Sequence, residues 1–249
     1  MSAPDALHPI GHRIVRLDET PSTIDVAREF ADDGAEHGTV VIADRQTSGR
    51  GRRGRTWATL PGKALAITAI LRDLPDARHR GLAGIVAALS VVRAVEDTTG
   101  LKLRTKWPND VVWHGKKLAG TLAEMHAGAL LLSIGLNING TEADIPEDIR
   151  DIASTLEILA QKPHDRDAVS AAVLRALTRT CHTLLTSPDG LIDAWDALDI
   201  TNGREVTLLA ADGEQLTGTS LGIDDEGRMK LKIGDAVRHI GEGDATVGK

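Results

Sequence analysis

Apolar and polar positions follow two different periods along this chain of 249 residues. The first thirteen residues are polar and broken by Pro4, Pro9 and Gly11, which predicts a short tail entering a first strand. Ser22 followed by Asp25 fits a capping box; Ile24, Ala27, Phe30 and Ala31 then share one helical face that Gly34 closes. Thr39 to Asp44 and Ala64 to Leu71 are compact apolar runs, as buried strands are. The loop between them, up to Gly62, has no apolar period. Leu82, Ile85, Val86, Leu89 and Val92 recur at helical spacing, and Gly100 ends that helix.

From Lys102 to Asn137 the period shortens. Leu103–Trp107, Val111–Trp113, Lys117–Met125 and Leu130–Asn137 read as strands, separated by Pro108-Asn109-Asp110, His114-Gly115 and Ala127-Gly128 turns. Helices are expected over 151–160, 166–186 and 188–198. After Thr201 the chain returns to short strands with turns at Asp212-Gly213, Asp225-Glu226-Gly227 and Gly234-Asp235, which suggests a small barrel. The expected organisation is therefore one domain over 1–200 and a second over 201–249. No internal repeat is present.

Composition narrows the class. The 29 basic and 36 acidic residues leave a net charge of −7, the wrong sign for a general nucleic-acid binder. Tyr is absent, Phe occurs once and Trp four times, so the core is aliphatic and base-stacking RNA readers are disfavoured. The single cysteine, Cys181, excludes an internal disulfide and lies in an apolar helical stretch, as a small core residue does. No run reaches the length of a membrane span and no signal-peptide layout opens the chain; a cytoplasmic location is expected.

Residues 45–55 break this average. They hold five arginines, three glycines and no acid, so the remainder of the chain sums to −12. Ordering each residue costs about 1–2 kcal/mol in backbone entropy, and a charge-assisted hydrogen bond returns only about 1.5–3 kcal/mol. Such a loop is expected to stay disordered until a phosphate-bearing ligand supplies several contacts together. Gly49, Gly51 and Gly54 also fit a dinucleotide fingerprint with Asp73 as its acid, but Pro61-Gly62 leaves no room for the required helix. Lys106-Trp107-Pro108-Asn109-Asp110 ends a strand in a polar turn. Lys116-Lys117-Leu118-Ala119-Gly120 starts the next, its small residues allowing close approach to the backbone. Taken alone, Lys117 also reads as a solvated lysine on an edge strand.

Together, Ser22-Thr23, Gln46, GRGRRGRTW at 49–57, KWPND at 106–110, KKLAG at 116–120 and GLNIN at 135–139 resemble the biotin protein ligases in order and spacing over about residues 14–140. Asp189 to Lys249 is similar, more loosely, to that family's final helix and C-terminal SH3-like barrel. The resemblance implies an α+β catalytic domain with a mixed sheet, related to class II aminoacyl-tRNA synthetases. It also implies a two-step reaction: biotin and ATP form biotinyl-5′-AMP with Mg²⁺, and a lysine on a biotin carboxyl carrier domain then takes the biotinyl group.

By the same resemblance, Lys117 and Arg52 act catalytically. Ser22, Thr23, Ile24, Gln46, Arg50, Gly51, Arg52, Lys117 and Gly120 contact biotin. Arg52, Arg53, Arg55, Trp57, Asn109, Lys117 and Asn137 contact ATP or the adenylate, and Asp110 contacts the metal. Ile24 departs from the polar residue common in the family, so a biotin contact there is either through its backbone or missing. The thirteen residues before the first strand are too few for a helix-turn-helix, so no DNA binding or repressor role is expected. Relatives include monomers and dimers, and the sequence leaves that choice open. The rival readings are a lipoate or octanoate ligase and, from another class, an RNA-binding module using the arginine loop.

Overall fold

The computed structural model describes residues 9–72 and 80–248; Pro4 and Asp73 lie outside that range. Seven strands form the main sheet: β1 Arg13–Thr20, β2 Thr39–Gln46, β3 Ala64–Leu71, β4 Arg104–Lys106, β5 Asp110–Trp113, β6 Lys116–His126 and β7 Ala129–Asn137. Their spatial order is β1-β2-β3-β7-β6-β5-β4, with β1 and β2 parallel and every other pair antiparallel. The mixed sheet expected from sequence is thus present, with β6 inside it rather than at an edge.

Two layers of helix cover this sheet unequally. On one face α2 (Ala83–Thr99) packs with α4 (Arg166–Thr186) and α5 (Pro188–Leu198) over Leu65, Ile67, Leu132, Ile134 and Leu136. α2 is apolar almost all round, as a helix clamped between a sheet and another helix must be. Its one buried hydroxyl, on Ser90, donates to the Val86 carbonyl at 2.6 Å. Gly100 ends α2 at φ +75°, a conformation a side chain would strain. Burying Leu89 here is worth about 2–3 kcal/mol. Cys181 lies in this core, where burial pushes its thiol up to about 12, so it is inert at neutral pH.

Among the described residues, the one helix on the other face is α1 (Thr23–Asp32), which lays Ile24, Ala27 and Ala31 against Val41, Ile70 and Leu131. The short α3 (Leu156–Ala160) begins five residues later than the sequence pattern suggests. Residues 152–154 instead run beside β6, where Lys117 and Ala153 form a parallel bridge and the Lys117 amide donates to the Ile152 carbonyl at 2.7 Å.

Beyond Thr201, strands β8 (Glu205–Ala210), β9 (Gln215–Ile223), β10 (Met229–Ile233), β11 (Ala236–Ile240) and β12 (Gly243–Val247) form a separate antiparallel sheet, order β11-β10-β9-β8-β12. One side-chain contact joins it to the main sheet's polar turn, and a second ties that turn to the end of α5. The Trp107 indole N–H donates to the Gly227 carbonyl at 3.1 Å, and the Trp107 amide donates to Asp199 Oδ1 at 3.2 Å. The Asp224–Arg228 turn that presents Gly227 is held by the Asp224 carboxylate. Burial pushes that carboxyl up, but hydrogen bonds from His239, Arg228 and two backbone amides hold it below its ordinary value.

Asp199 is buried, and desolvation raises its pKa despite hydrogen bonds from Thr201 and Trp107. The folded state therefore holds this proton more tightly than the unfolded chain. The resulting stability is present below 3.8 and is lost as pH rises through the folded value. Asp199→Asn, which cannot ionise, is expected to gain stability relative to the parent as pH rises above 3.8; paired urea titrations across pH 3.5 to 7 measure that difference.

Candidate active site

Because α1 is only ten residues long, part of the sheet's second face is left open. Side chains of β7 alternate: Leu132, Ile134 and Leu136 enter the core, while Ser133, Gly135 and Asn137 line the open face. At a rise of about 3.4 Å per residue, same-face residues of β7 follow one another about 6.8 Å apart and form the floor of a trough.

One end of the trough is a chain of hydrogen bonds. The Thr23 amide and hydroxyl donate to Gln46 Oε1 at 2.9 and 3.1 Å, and the Gln46 amide nitrogen donates to Thr59 at 3.2 Å. The Thr23 hydroxyl also meets the Thr68 hydroxyl at 2.9 Å, which in turn meets Ser133 at 2.8 Å. Ser22, fully buried, caps α1 by accepting from the Ile24 amide at 3.4 Å. Ser22, Thr23 and Gln46 were expected here. Thr68 and Ser133 were not, because a lone hydroxyl in an apolar strand carries no motif. The Ile24 side chain points into the core, so the biotin contact expected of it could come only from its backbone.

At the other end, Lys117 Nζ lies 2.6 Å from Asp110 Oδ1 and 5.5 Å from the centre of the Trp57 ring, a cation–π geometry. The Trp57 indole lies on bare backbone. A Cβ on Gly135 would fall 2.5 Å from its Nε1, and one on Gly120 would fall 3.1 Å from Lys117 Nζ and 3.2 Å from the ring. The indole N–H is buried and without a partner among the described residues. Gly120 was expected at the site; Gly135 belongs to a quoted motif but was given no role. Lys117, about one-third exposed, is thus no solvated edge lysine.

The arginine-glycine loop is folded, contrary to the expected disorder. Arg50 and Thr56 pair across it, Arg52–Gly54 makes one 3₁₀ turn, and the Trp57 amide donates to the Gly49 carbonyl at 2.8 Å. Charge pairing offsets the entropy the sequence argument weighed, and the acids come from distant segments. Arg50 Nη2 sits 2.7 Å from Asp25, Arg52 3.4 Å from Glu242, and Arg53 3.2 Å from Asp244, which also receives Arg55. Arg53 and Arg55, expected at the nucleotide, therefore face β12 in this structure.

Three further expected residues serve the framework. Asn109 Nδ2 donates to the Thr121 carbonyl at 2.5 Å, and Asn137 Nδ2 donates to the Ser154 carbonyl at 3.1 Å. Asp110, expected to face a metal, faces Lys117 instead. Among the described residues, no three His, Cys, Asp or Glu side chains are placed to hold a metal ion. Beside Asn109, a cavity of about 230 Å³ is lined by Arg52, Arg80, Thr121 and Arg228.

Gly135→Ala is expected to push the Trp57 indole off β7 and thereby open the loop, with a stability loss of about 1–3 kcal/mol. Trp fluorescence of Gly135→Ala, compared with a Trp57→Phe control, measures the displacement.

Residues 17–139 match the model of the biotin/lipoate A/B protein ligase family, and residues 201–248 match the biotin protein ligase C-terminal domain. The bifunctional ligase/repressor BirA of Bacillus subtilis is 32% identical over 96% of this chain and 75% of its own length. The biotin–[acetyl-CoA-carboxylase] ligase of Mycobacterium tuberculosis is 32% identical over 84% of this chain and 79% of its own. The Aquifex aeolicus biotin protein ligase, solved with biotin and ATP, superposes with a TM-score of 0.83 at 29% identity, covering 96% of this chain and 99% of that one. A trough with a hydroxyl chain at one end, a lysine at the other and an arginine loop above it accords with these matches: the chain belongs to the biotin protein ligases of the biotin/lipoate A/B protein ligase family.

Proposed function

We propose that this chain activates biotin with ATP and transfers it to a lysine of a biotin carboxyl carrier domain, with residues 1–200 forming the catalytic unit and 201–249 its C-terminal partner. The observation that carries the reading is the position of Lys117, whose ammonium lies between the trough and the arginine loop, against Trp57 and Asp110. In the first step a biotin carboxylate oxygen attacks the α-phosphorus of ATP, the bond to the β-phosphate oxygen breaks, and pyrophosphate leaves. Two anions must approach, so a fixed cation at the point of contact lowers the barrier. Lys117 is that cation, and Arg52 adds a second from the loop.

The hydroxyl chain at Thr23, Gln46, Thr68 and Ser133 suits the ureido ring, whose donors and acceptors face a polar end while the rest of the ligand lies along small residues. Gly51 and Gly120 keep backbone within reach of it. The indole of Trp57 and the loop arginines shield the mixed anhydride from water. In the second step the carrier lysine's amine attacks the acyl carbon, AMP leaves with the electron pair, an amide forms and the nitrogen loses its proton. Asp110 is the carboxylate that pairs with Lys117. Mg²⁺ enters on the triphosphate of ATP as part of that substrate. No helix among the described residues is long and apolar enough to cross a membrane, and we place the reaction in the cytoplasm, where ATP and carrier domains are available.

Lys117→Ala is expected to lower biotin-dependent ATP–pyrophosphate exchange by about 10²–10³-fold. The fold should be retained, with a stability loss limited to that of one partly buried ion pair with Asp110. Exchange at the parental rate, or exchange driven by lipoate and not biotin, would overturn the reading.

A further inference from the structure

The Ser22–Asp25 spacing calls for a capping box, yet Asp25 does not close one. Ser22 alone caps α1, and the Asp25 carboxylate turns outward to Arg50, with Oδ1 2.7 Å from Nη2. We propose that Asp25 is a positioning residue that latches the arginine-glycine loop, so that this carboxylate sets how long the acyl-adenylate is retained. The proposal rests on the ligase reading above and deepens it.

Four observations carry it. Arg52, Arg53 and Arg55 all pair with acids of the C-terminal segment, Glu242 and Asp244, whereas Arg50 reaches back to α1. The loop is therefore pinned from both sides, and Asp25 holds the side nearest the trough. Thr23, which binds Gln46 at the polar end, lies in the same helical turn, so pocket and latch move as one rigid piece. Arg28 leans on Asp25 at 3.4 Å while its Nε donates to Glu124 on β6 at 2.9 Å, which braces the carboxylate from below. The positive end of α1 favours a charged acid at this place. Removing Asp25 leaves the Arg28–Glu124 pair intact, so α1 stays tied to β6 and the fold is not what the substitution tests.

Two measurements decide the matter. Limited trypsin digestion of the ligand-free protein reads loop opening directly, since the bonds cut follow Arg50, Arg52, Arg53 and Arg55. Asp25→Asn should be cut there about three- to ten-fold faster than the parent, as loss of a half-exposed, braced ion pair implies. In single-turnover experiments the same variant should release free biotinyl-5′-AMP faster by a similar factor, and its KM for biotin should rise more than its kcat falls. Asp25→Glu should restore part of both effects. Arg50→Gln should reproduce them, and the double variant should be no worse than either single one. Unchanged digestion and release in Asp25→Asn, or additive effects in the double variant, would overturn the latch. If the parent shows no biotin-dependent pyrophosphate exchange, the ligase reading fails, and the digestion still decides the role of Asp25.

Discussion

α1 lays Ile24, Ala27 and Ala31, with Val26 and Phe30 packed beside them, on a sheet face larger than one ten-residue helix covers. Every feature of the site follows from that shortfall. A sheet face left open to solvent cannot be lined with aliphatic residues without a large exposed apolar patch. That face accordingly carries the buried Thr68 together with Ser133, Gly120, Gly135 and Asn137, while the opposite face of β3 and β7 is apolar. The hydroxyls satisfy one another, and the glycines admit the Trp57 indole to within contact of the backbone.

The charge distribution follows the same geometry. An acidic body would repel the anions this site handles, so positive charge is gathered in one loop and at Lys117. A loop so rich in like charges would repel itself apart if left alone. Asp25 from α1, and Glu242 and Asp244 from the C-terminal sheet, hold it closed from opposite sides. This gives the C-terminal segment a second physical role besides its clamp on Trp107, because it supplies the acids that pair with Arg52, Arg53 and Arg55.

Much of the fold was legible in one dimension. Ala64–Leu71 agrees with its unbroken apolar run, because burial on both faces leaves no other pattern, and the helices at 166–186 and 188–198 lie where the sequence places them. The late start of α3 was not legible. Its preceding residues carry helical spacing, but the backbone of 152–154 pairs with Lys117, a partner more than thirty positions away. The same limit hid the order of the loop, since the favourable half of its energy balance comes from residues as far off as Asp244.

The motifs by themselves determined which chemistry this chain carries: a lysine, an arginine-glycine loop and small residues in a fixed order are local features. Which residues meet was decided only by the tertiary structure. It sends Asp25 to Arg50 instead of to its own helix end, Asp110 to Lys117 instead of toward a metal, and Arg53 to β12. The physical reason is that ion pairs and hydroxyl chains form between groups close in space, and closeness across this sheet is set by register and by which face a helix leaves bare.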